Sequence, residues 1–181
     1  AWGAAVGADD DQPDGQIAAA TVSKIQELGD KPWFIGCGFM KPHDPFIAPK
    51  KYFDLYPEDS LKIWHDPVDM DVVGKQSVGF GAYGEAFGKF TEKEWRELFR
   101  AYCACTTFMD AQLGRVLDVL DQKQLWDKTL VIFVGDHGYH TGERQWWNKN
   151  TLFERSCHAP FIVAAPGMAG GKRSKSLVEF V

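Results

Sequence analysis

The chain has 181 residues, of which 45% are hydrophobic and 14% aromatic, a composition typical of a globular domain with a buried core. Its 25 acidic residues outnumber its 20 basic residues and give a formal net charge of −5, which argues against a basic face for a nucleic-acid partner. The sequence contains neither an apolar run of the roughly 20 residues that a transmembrane helix needs nor a recognisable signal peptide.

The first part of the chain predicts one helix, one buried strand and a long loop. Residues 1–13 are rich in Gly, Ala and Asp and are expected to be irregular. Apolar residues recur at helical spacing over 14–28. Pro32 interrupts regular secondary structure, and the apolar run over 33–39 that follows it predicts a buried strand. Four prolines in the segment 41–57 favour a loop with at most a short helix.

The second part of the chain alternates between helix and strand. Residues 58–90 show no clear period and predict a long surface excursion. The stretch Thr91–Glu94 has the pattern of a capping box, and apolar residues then recur at steps of three and four over 95–120, which predicts a long helix. The apolar runs 130–134 and 160–165 predict two buried strands. This order of elements indicates an α/β fold with a mainly parallel sheet.

Asp136 and His137 stand at the carboxyl end of the predicted strand 130–134, between Gly135 and Gly138. Open α/β sheets bind their ligands at this end of the strands. A carboxylate beside an imidazole suits half of a metal site, and these two donors alone favour manganese, magnesium or zinc at least as well as calcium. The alternative is a turn in which the Asp caps the next element and the His is merely exposed.

Several motifs follow one another in a fixed order along the chain. They are Lys41-Pro42-His43 with Pro45-Phe46, Pro49-Lys50-Lys51-Tyr52-Phe53 with Leu55-Tyr56-Pro57, Asp110 with Gly114-Arg115, Asp136-His137-Gly138 with Gly142-Glu143 and Lys149, and His158 with Pro160-Phe161-Ile162 and Pro166-Gly167. The ordered set, which extends from about residue 14 to the last residue, closely resembles the sulfatase family of the alkaline-phosphatase-like superfamily, and in particular its iduronate-2-sulfatase-like branch.

The resemblance implies a partial alkaline-phosphatase-like domain, with three layers in the order α/β/α and a mainly parallel sheet. Members of the family are much longer than this chain. Residues 1–181 are therefore expected to be an interior to C-terminal portion of a single sulfatase catalytic domain, with the N-terminal nucleophile segment and a C-terminal subdomain outside it.

The same resemblance implies roles for four residues. Asp136 is expected to be a metal ligand. His137 is either a second ligand, the role that the resemblance favours, or a donor to a sulfate oxygen. The expected metal is Ca²⁺, with Mg²⁺ or Mn²⁺ as alternatives. Lys149 is expected to clamp the sulfate, and His43 to face the sulfate and protonate the leaving group. From the residues alone, Lys149 is equally well read as a snorkelling surface lysine, and His43 as a turn histidine held by the flanking prolines.

Further polar residues are close enough in sequence to line the same pocket, although nothing assigns a role to them. They are Lys41, His140, Glu143, Arg144 and Asn148.

The nucleophile of the family is a formylglycine hydrate made from the Cys or Ser of a Cys/Ser-x-Pro-x-Arg signature. No cysteine or serine of this chain has that context. The resemblance therefore implies a metal-dependent sulfatase whose formylglycine lies outside this chain, and residues 1–181 alone are expected to be inactive.

The expected substrate is a sulfated carbohydrate, such as a uronate of a sulfated polysaccharide, or a small sulfate ester. Enzymes that act on such polysaccharides usually work outside the cytoplasm, so a periplasmic, secreted or lysosomal location is expected. Alternatives are a phosphate or phosphonate ester hydrolase of the same superfamily, a catalytically dead carbohydrate-binding relative, and a two-carboxylate glycosidase built on Asp136 and Glu143. The sequence decides neither the exact substrate nor the oligomeric state.

Overall fold

The computed structural model describes residues 1–29, 31–63, 89–143 and 146–179. Its strands are β1 (Trp2–Ala5), β2 (Phe46–Pro49), β3 (Val131–Val134), β4 (His140–Thr141), β5 (Trp147–Asn148) and β6 (Phe161–Ala164). Its helices are α1 (Pro13–Leu28), α2 (Lys50–Phe53), α3 (Glu92–Gln122) and α4 (Glu154–Cys157), with 3-10 turns at Asp9–Asp11, Glu58–Ser60 and Trp126–Lys128. These elements form a mixed α/β fold, which confirms the predicted fold class.

The two long helices form where the sequence predicts them. The predicted capping box begins α3: the Glu94 backbone N–H donates to Thr91 Oγ1 at 3.3 Å, and the Glu94 carboxylate accepts from the Thr91 backbone N–H at 2.7 Å. Helix α1 begins at Pro13, a residue whose fixed φ and missing N–H suit the first turn. It packs against α3, and the side chains of Ile25, Val119 and Leu120 meet in a small apolar cluster between them.

The larger apolar cluster attaches the remaining elements to α3. Phe46 of β2 and Phe53 of α2 pack here against the buried face of α3. Trp147 of β5 joins the same cluster; it is 1% exposed, and its ring stacks on Trp95 with 4.9 Å between the ring centroids. Burial of so large an aromatic side chain stabilises the β4–β5 hairpin against α3. The residues that follow Trp147 are therefore held close to the core.

The strands of the described residues pair in three two-stranded ladders. Strands β1 and β2 are parallel, with Trp2 opposite Phe46. The other two ladders are antiparallel: β3 pairs with β6, and β4 pairs with β5. The prediction that residues 1–13 are irregular is wrong for β1, because hydrogen bonds to a distant strand hold this Gly- and Ala-rich segment in a ladder.

The prediction of a strand over 33–39 is also wrong. These residues are extended, and their side chains alternate between half-buried and exposed positions, as in a strand. Within the described part of the chain, however, no backbone hydrogen bond joins them to another segment. A strand requires a partner, which local sequence does not supply.

The predicted surface excursion over 58–90 falls mainly on residues 64–88, which lie outside the described residues. Among the helices that are described, none combines the length and the apolar composition that a bilayer crossing requires.

Candidate active site

A cavity of about 1060 Å³ brings all four of the predicted site residues together. One side is the loop wall, residues 33–43, which ends in His43. A second part of the lining is the strand wall, residues 129–139 together with Lys149, which includes Asp136 and His137. Apolar side chains of α1 and α3, such as Ile25 and Leu117, line the cavity between the walls. The polar site residues thus share one cleft, as their places at the ends of two extended segments predict.

The loop that carries Asp136 and His137 lies very close to the segment around α4. Gly135 donates its backbone N–H to the Pro160 carbonyl at 2.9 Å, and Gly138 donates its own to the Ser156 carbonyl at 2.7 Å. A Cβ atom added at Gly138 would lie 2.0 Å from the Arg155 carbonyl oxygen. Only glycine permits this approach, so Gly138 fixes the course of the loop directly after His137.

The two predicted metal ligands face each other. His137 Nδ1 is 2.7 Å from the Gly138 carbonyl oxygen, a contact in which the ring nitrogen donates a proton. With its proton on Nδ1, the neutral ring presents the Nε2 lone pair, which is 3.5 Å from Asp136 Oδ2. The Asp136 side chain is 90% exposed and free to turn toward a cation. A carboxylate and an oriented imidazole therefore fit half of a divalent-metal site.

The described residues supply only this half of a site. Within them, no group of three or more His, Cys, Asp or Glu side chains is arranged to hold a metal ion. The three consecutive aspartates Asp9, Asp10 and Asp11 do not line the cavity. Asp9 accepts hydrogen bonds from Tyr52 and Gln112, and Asp10 accepts one from Arg115. The hydrogen bonds of Asp9 and Asp10 stabilise the fold around α1 and α3.

Lys149 directly follows the β4–β5 hairpin. Asn148 has a φ of 131°, and its side-chain oxygen accepts the Lys149 backbone N–H at 2.5 Å. Across the described residues, the Lys149 ammonium has no carboxylate or hydrogen-bond partner, although it lines the cavity. An ammonium without an internal partner on a cavity wall is available to bind an anion there.

His43 is held in a tight turn at the end of the loop wall. Its Nδ1 is 2.8 Å from the Asp44 carbonyl oxygen and 2.9 Å from Asp44 Oδ1. The Lys41 ammonium donates to the Pro45 carbonyl at 2.6 Å and thereby closes the same turn. Because Nδ1 is occupied, Nε2 is the ring nitrogen left to exchange a proton with a ligand.

Asp14 helps to hold the site together, a role that the sequence did not reveal. From the sequence, this residue is expected only to begin a helix. The Asp14 carboxylate is 1% exposed and accepts the backbone N–H groups of Met40 and Lys41, each at 2.9 Å. It thereby fixes the loop wall to α1 just before His43. Its place in the first turn of a helix resembles an ordinary cap, so the sequence offered no signal of this role.

The other polar candidates divide into several groups. Lys41 lines the cavity, whereas His140 and Asn148 are buried and absent from its lining. Glu143 accepts the Thr141 backbone N–H at 2.7 Å and lies 3.4 Å from Arg155 Nε. Arg144 lies outside the described residues.

The two cysteines of α3, Cys103 and Cys105, are not activated as thiolates. Burial raises the pKa of the Cys105 thiol to about 12 and also raises the pKa of Cys103. Cys37 lies in the loop wall, where its sulfur accepts the Thr21 hydroxyl at 3.3 Å. None of them precedes the x-Pro-x-Arg sequence that formylglycine formation requires.

Comparison with known proteins identifies the family. The model of the sulfatase family matches residues 7–181. The chain belongs to the sulfatase family. A sulfatase of Formosa agariphila is 32% identical over 99% of this chain and 36% of its own length. Human iduronate 2-sulfatase is 29% identical over 92% of this chain and 32% of its own length. The predicted family is therefore confirmed, and the chain spans about a third of the length of these two relatives.

The fold is similar to that of solved alkaline-phosphatase-like enzymes. A phosphonate monoester hydrolase from Silicibacter pomeroyi superposes with a TM-score of 0.78 at 24% identity, over 91% of this chain and 35% of that protein. At this identity the likeness concerns the fold alone. It supports the three-layer α/β architecture without selecting between sulfate and phosphonate esters.

Proposed function

We propose that the protein containing this chain is a metal-dependent sulfatase that hydrolyses sulfate esters with a formylglycine nucleophile located outside residues 1–181. The observation that carries this proposal is the single cavity, in a member of the sulfatase family, that holds Asp136, His137, Lys149 and His43. A sulfate ester requires positive charge around its oxygens and a proton for its leaving alcohol. These four side chains supply both.

Asp136 and His137 would hold the metal ion. When bound, the divalent cation supplies positive charge and orientation to the sulfate group. We take Ca²⁺ as the metal because of the family resemblance, with Mg²⁺ or Mn²⁺ as alternatives, since one carboxylate and one imidazole do not discriminate among them. The hydrogen bond from His137 Nδ1 to the Gly138 carbonyl keeps Nε2 in the state that ligation needs.

Lys149 and His43 act on opposite ends of the ester in this proposal. The ammonium of Lys149 donates to sulfate oxygens and stabilises the negative charge that develops on them. His43, protonated on Nε2, gives that proton to the oxygen of the departing alcohol. The two residues line the same cavity from different walls, and in this proposal the ester binds between them.

The substrate is proposed to be a sulfated carbohydrate, such as a uronate of a sulfated polysaccharide. The similarity to an iduronate 2-sulfatase supports this choice. Substrates of this kind lie outside the cytoplasm, and a periplasmic, secreted or lysosomal enzyme is proposed accordingly. A small sulfate ester is the alternative, supported by the similarity to a choline-sulfatase of Rhizobium meliloti, which is 32% identical over 87% of this chain. A phosphonate or phosphate ester hydrolase of the same superfamily is the second candidate, because the similarity of fold to a phosphonate monoester hydrolase does not separate the two chemistries.

The test is a comparison of substrates with the full-length protein encoded by the gene that contains this chain. Purified protein is assayed on nitrophenyl sulfate and a sulfated uronate disaccharide, and on nitrophenyl phosphate and a phosphonate monoester. We expect sulfate release from both sulfate esters to exceed hydrolysis of the phosphorus esters, and mass spectrometry to detect formylglycine. Preference for a phosphorus ester would transfer the protein to the second candidate function. Absence of all four activities in a folded, metal-loaded protein would favour a carbohydrate-binding relative.

A further inference from the structure

A buried network of polar side chains lies behind the strand wall. His140 is fully buried, and its Nε2 is 3.0 Å from Thr151 Oγ1. Thr151 Oγ1 is in turn 2.7 Å from Ser156 Oγ, and both hydroxyl groups are buried. None of the three residues lines the cavity. Burying an imidazole and two hydroxyl groups is costly unless their polar atoms are hydrogen-bonded, and His140 Nε2 and the two hydroxyl groups are joined in one chain of hydrogen bonds.

The network connects the two parts of the strand wall that carry the site residues. The Ser156 carbonyl accepts the Gly138 backbone N–H at 2.7 Å, directly after His137. The Thr151 backbone N–H donates to the Lys149 carbonyl at 2.8 Å. One continuous path of hydrogen bonds therefore leads from the metal-ligand loop, through Ser156 and Thr151, to the backbone of Lys149.

The main-chain pairing of this region is short by comparison. Strands β4 and β5 pair through two residues each, His140 with Asn148 and Thr141 with Trp147. A ladder of this length is marginal by itself, and the buried Trp147 anchors it to α3. Lys149 lies one residue beyond the ladder. The bonds that hold its backbone there include the one from its own N–H to Asn148 Oδ1 and the one from the Thr151 N–H to its carbonyl.

We propose that Thr151, held by His140 and Ser156, is a positioning residue that fixes Lys149 relative to Asp136 and His137. It touches neither substrate nor metal; it sets the place from which the Lys149 ammonium reaches a sulfate oxygen. This inference rests on the proposed function. It also makes a separate claim about oxyanion binding, which is measurable without turnover.

The chain offers a matched pair of substitutions at the centre of the network. Thr151→Val keeps the shape of the side chain and removes the hydroxyl that joins His140 to Ser156. Thr151→Ser keeps the hydroxyl and removes only a methyl group. If the network positions Lys149, Thr151→Val should bind sulfate and hydrolyse sulfate esters less well than Thr151→Ser. If only the volume of the side chain matters, Thr151→Val should be the more active variant.

The experiment is a double-mutant cycle in the full-length protein, with Thr151→Val, Lys149→Ala and the combined variant. Loss of such a supporting contact typically costs about 10- to 100-fold in activity, and this loss in kcat is expected for Thr151→Val when Lys149 is present. In the Lys149→Ala background, the further loss is expected to be below about threefold, because the group being positioned is already absent. Thr151→Ser should restore at least most of the activity.

Equal losses in both backgrounds would overturn the proposal, since they would place the effect of Thr151 elsewhere. Binding of inorganic sulfate, measured by calorimetry on the metal-loaded protein, gives the second readout. Thr151→Val should weaken it about tenfold or more, and unchanged affinity, or no binding by the wild type, would overturn the proposal.

Two further comparisons distinguish failure of the proposed function from failure of the positioning role. If the wild type binds sulfate but cleaves no sulfate ester, the proposed function fails, and the sulfate affinities of Thr151→Val and Thr151→Ser still decide the positioning role. Thermal melting checks that each variant is folded. Should Thr151→Val not fold, Ser156→Ala replaces it in the same cycle, because it removes one hydroxyl and leaves the carbonyl that holds Gly138.

Discussion

The two walls of the cavity hold their site residues in different ways. On the strand wall, Asp136 and His137 follow β3, which is paired with β6, and Lys149 follows a hairpin anchored to α3 by the buried Trp147. On the loop wall, residues 33–39 have no ladder partner within the described chain, and the turn of His43 depends on side chains such as that of Asp14.

This difference separates the proposed chemistry into two parts. The groups assigned to the metal and to the sulfate oxygens are placed by backbone pairing and core packing, which tolerate little displacement. The group assigned to the leaving alcohol is placed by a buried carboxylate that caps two backbone N–H groups. Substitutions of Asp136, His137 and Lys149 themselves should therefore act mainly through lost charge or lost ligands. Substitutions around the loop wall, or of Thr151 behind the strand wall, should act through lost position.

The largest effect is expected for Asp136→Ala in the full-length protein. It removes the only carboxylate of the proposed half-site, so sulfate release should fall to background and the affinity for Ca²⁺ should drop. Both are measured on protein depleted of metal and then titrated with Ca²⁺. Asp127→Ala, which alters an exposed aspartate shortly before β3, is the control and should behave as the wild type. Full activity in Asp136→Ala would remove the metal assignment.

Lys149→Ala is expected to reduce turnover by about a hundredfold or more, as loss of one charge stabiliser typically does. Thermal stability should change little, because the Lys149 ammonium has no partner among the described residues. Steady-state kinetics on nitrophenyl sulfate measures the effect. Lys123→Ala, at an exposed position just after α3, serves as the control. A Lys149→Ala variant with the turnover of the wild type would mark Lys149 as an ordinary surface lysine.

Asp14→Ala tests the loop wall. It leaves the Met40 and Lys41 backbone N–H groups without their acceptor, which should lower the free energy of unfolding by roughly 1–3 kcal/mol. Because His43 then loses its fixed place, turnover should also fall by about tenfold. Urea denaturation and kinetics measure the two effects.

Asp14→Asn provides the matched comparison for this prediction, since its amide retains one acceptor oxygen. Its stability and turnover should lie between those of Asp14→Ala and the wild type. If Asp14→Ala lost stability but kept the turnover of the wild type, the loop wall would not position a catalytic group.

The smallest effect is expected for Asp9, whose carboxylate accepts a hydrogen bond from the Tyr52 hydroxyl of α2. Burial by itself would raise the pKa of Asp9, but hydrogen bonds from Lys51, Tyr52 and Gln112 outweigh it and hold the pKa below its ordinary value. A depressed pKa in the folded state stabilises the protein above the ordinary carboxyl pKa of about 4, and this stabilisation is lost as the pH falls through the folded value.

The stability of the wild type should therefore fall more steeply than that of Asp9→Asn between about pH 5 and about pH 3. Denaturant titrations at several pH values measure the slope, and Asp59→Asn, at an exposed position, is the control. Parallel slopes for the wild type and Asp9→Asn would show that the Asp9 carboxylate contributes no net stability.

The helices and the ends of the strands were predictable because their signals are local. The capping box at Thr91 and the apolar spacing of α3 specify a helix without reference to the remainder of the chain. The apolar run before Gly135 likewise specified β3 and placed Asp136 and His137 at its end. The sequence could not show that residues 2–5 pair in parallel with residues 46–49, because strand pairing depends on a distant partner.

The supporting contacts of the site were hidden for a similar reason. Asp14 reaches Met40 and Lys41 across 26 and 27 positions of the chain. His140 meets Thr151 across 11 positions, through a hairpin whose register decides the contact. Residue types and spacing predicted the side chains that face the cavity. They did not predict the buried groups that hold those side chains in place.

The most direct measurement is a crystal structure of the full-length protein grown with Ca²⁺ and inorganic sulfate. In that structure we expect a cation coordinated by the Asp136 carboxylate at about 2.3–2.6 Å, with His137 Nε2 in the same coordination sphere. We also expect a sulfate ion between the two walls, in contact with the ammonium of Lys149 and the ring of His43. A cation bound elsewhere, or a sulfate with Lys149 turned away into solvent, would contradict the assignment of this cavity as a sulfatase active site.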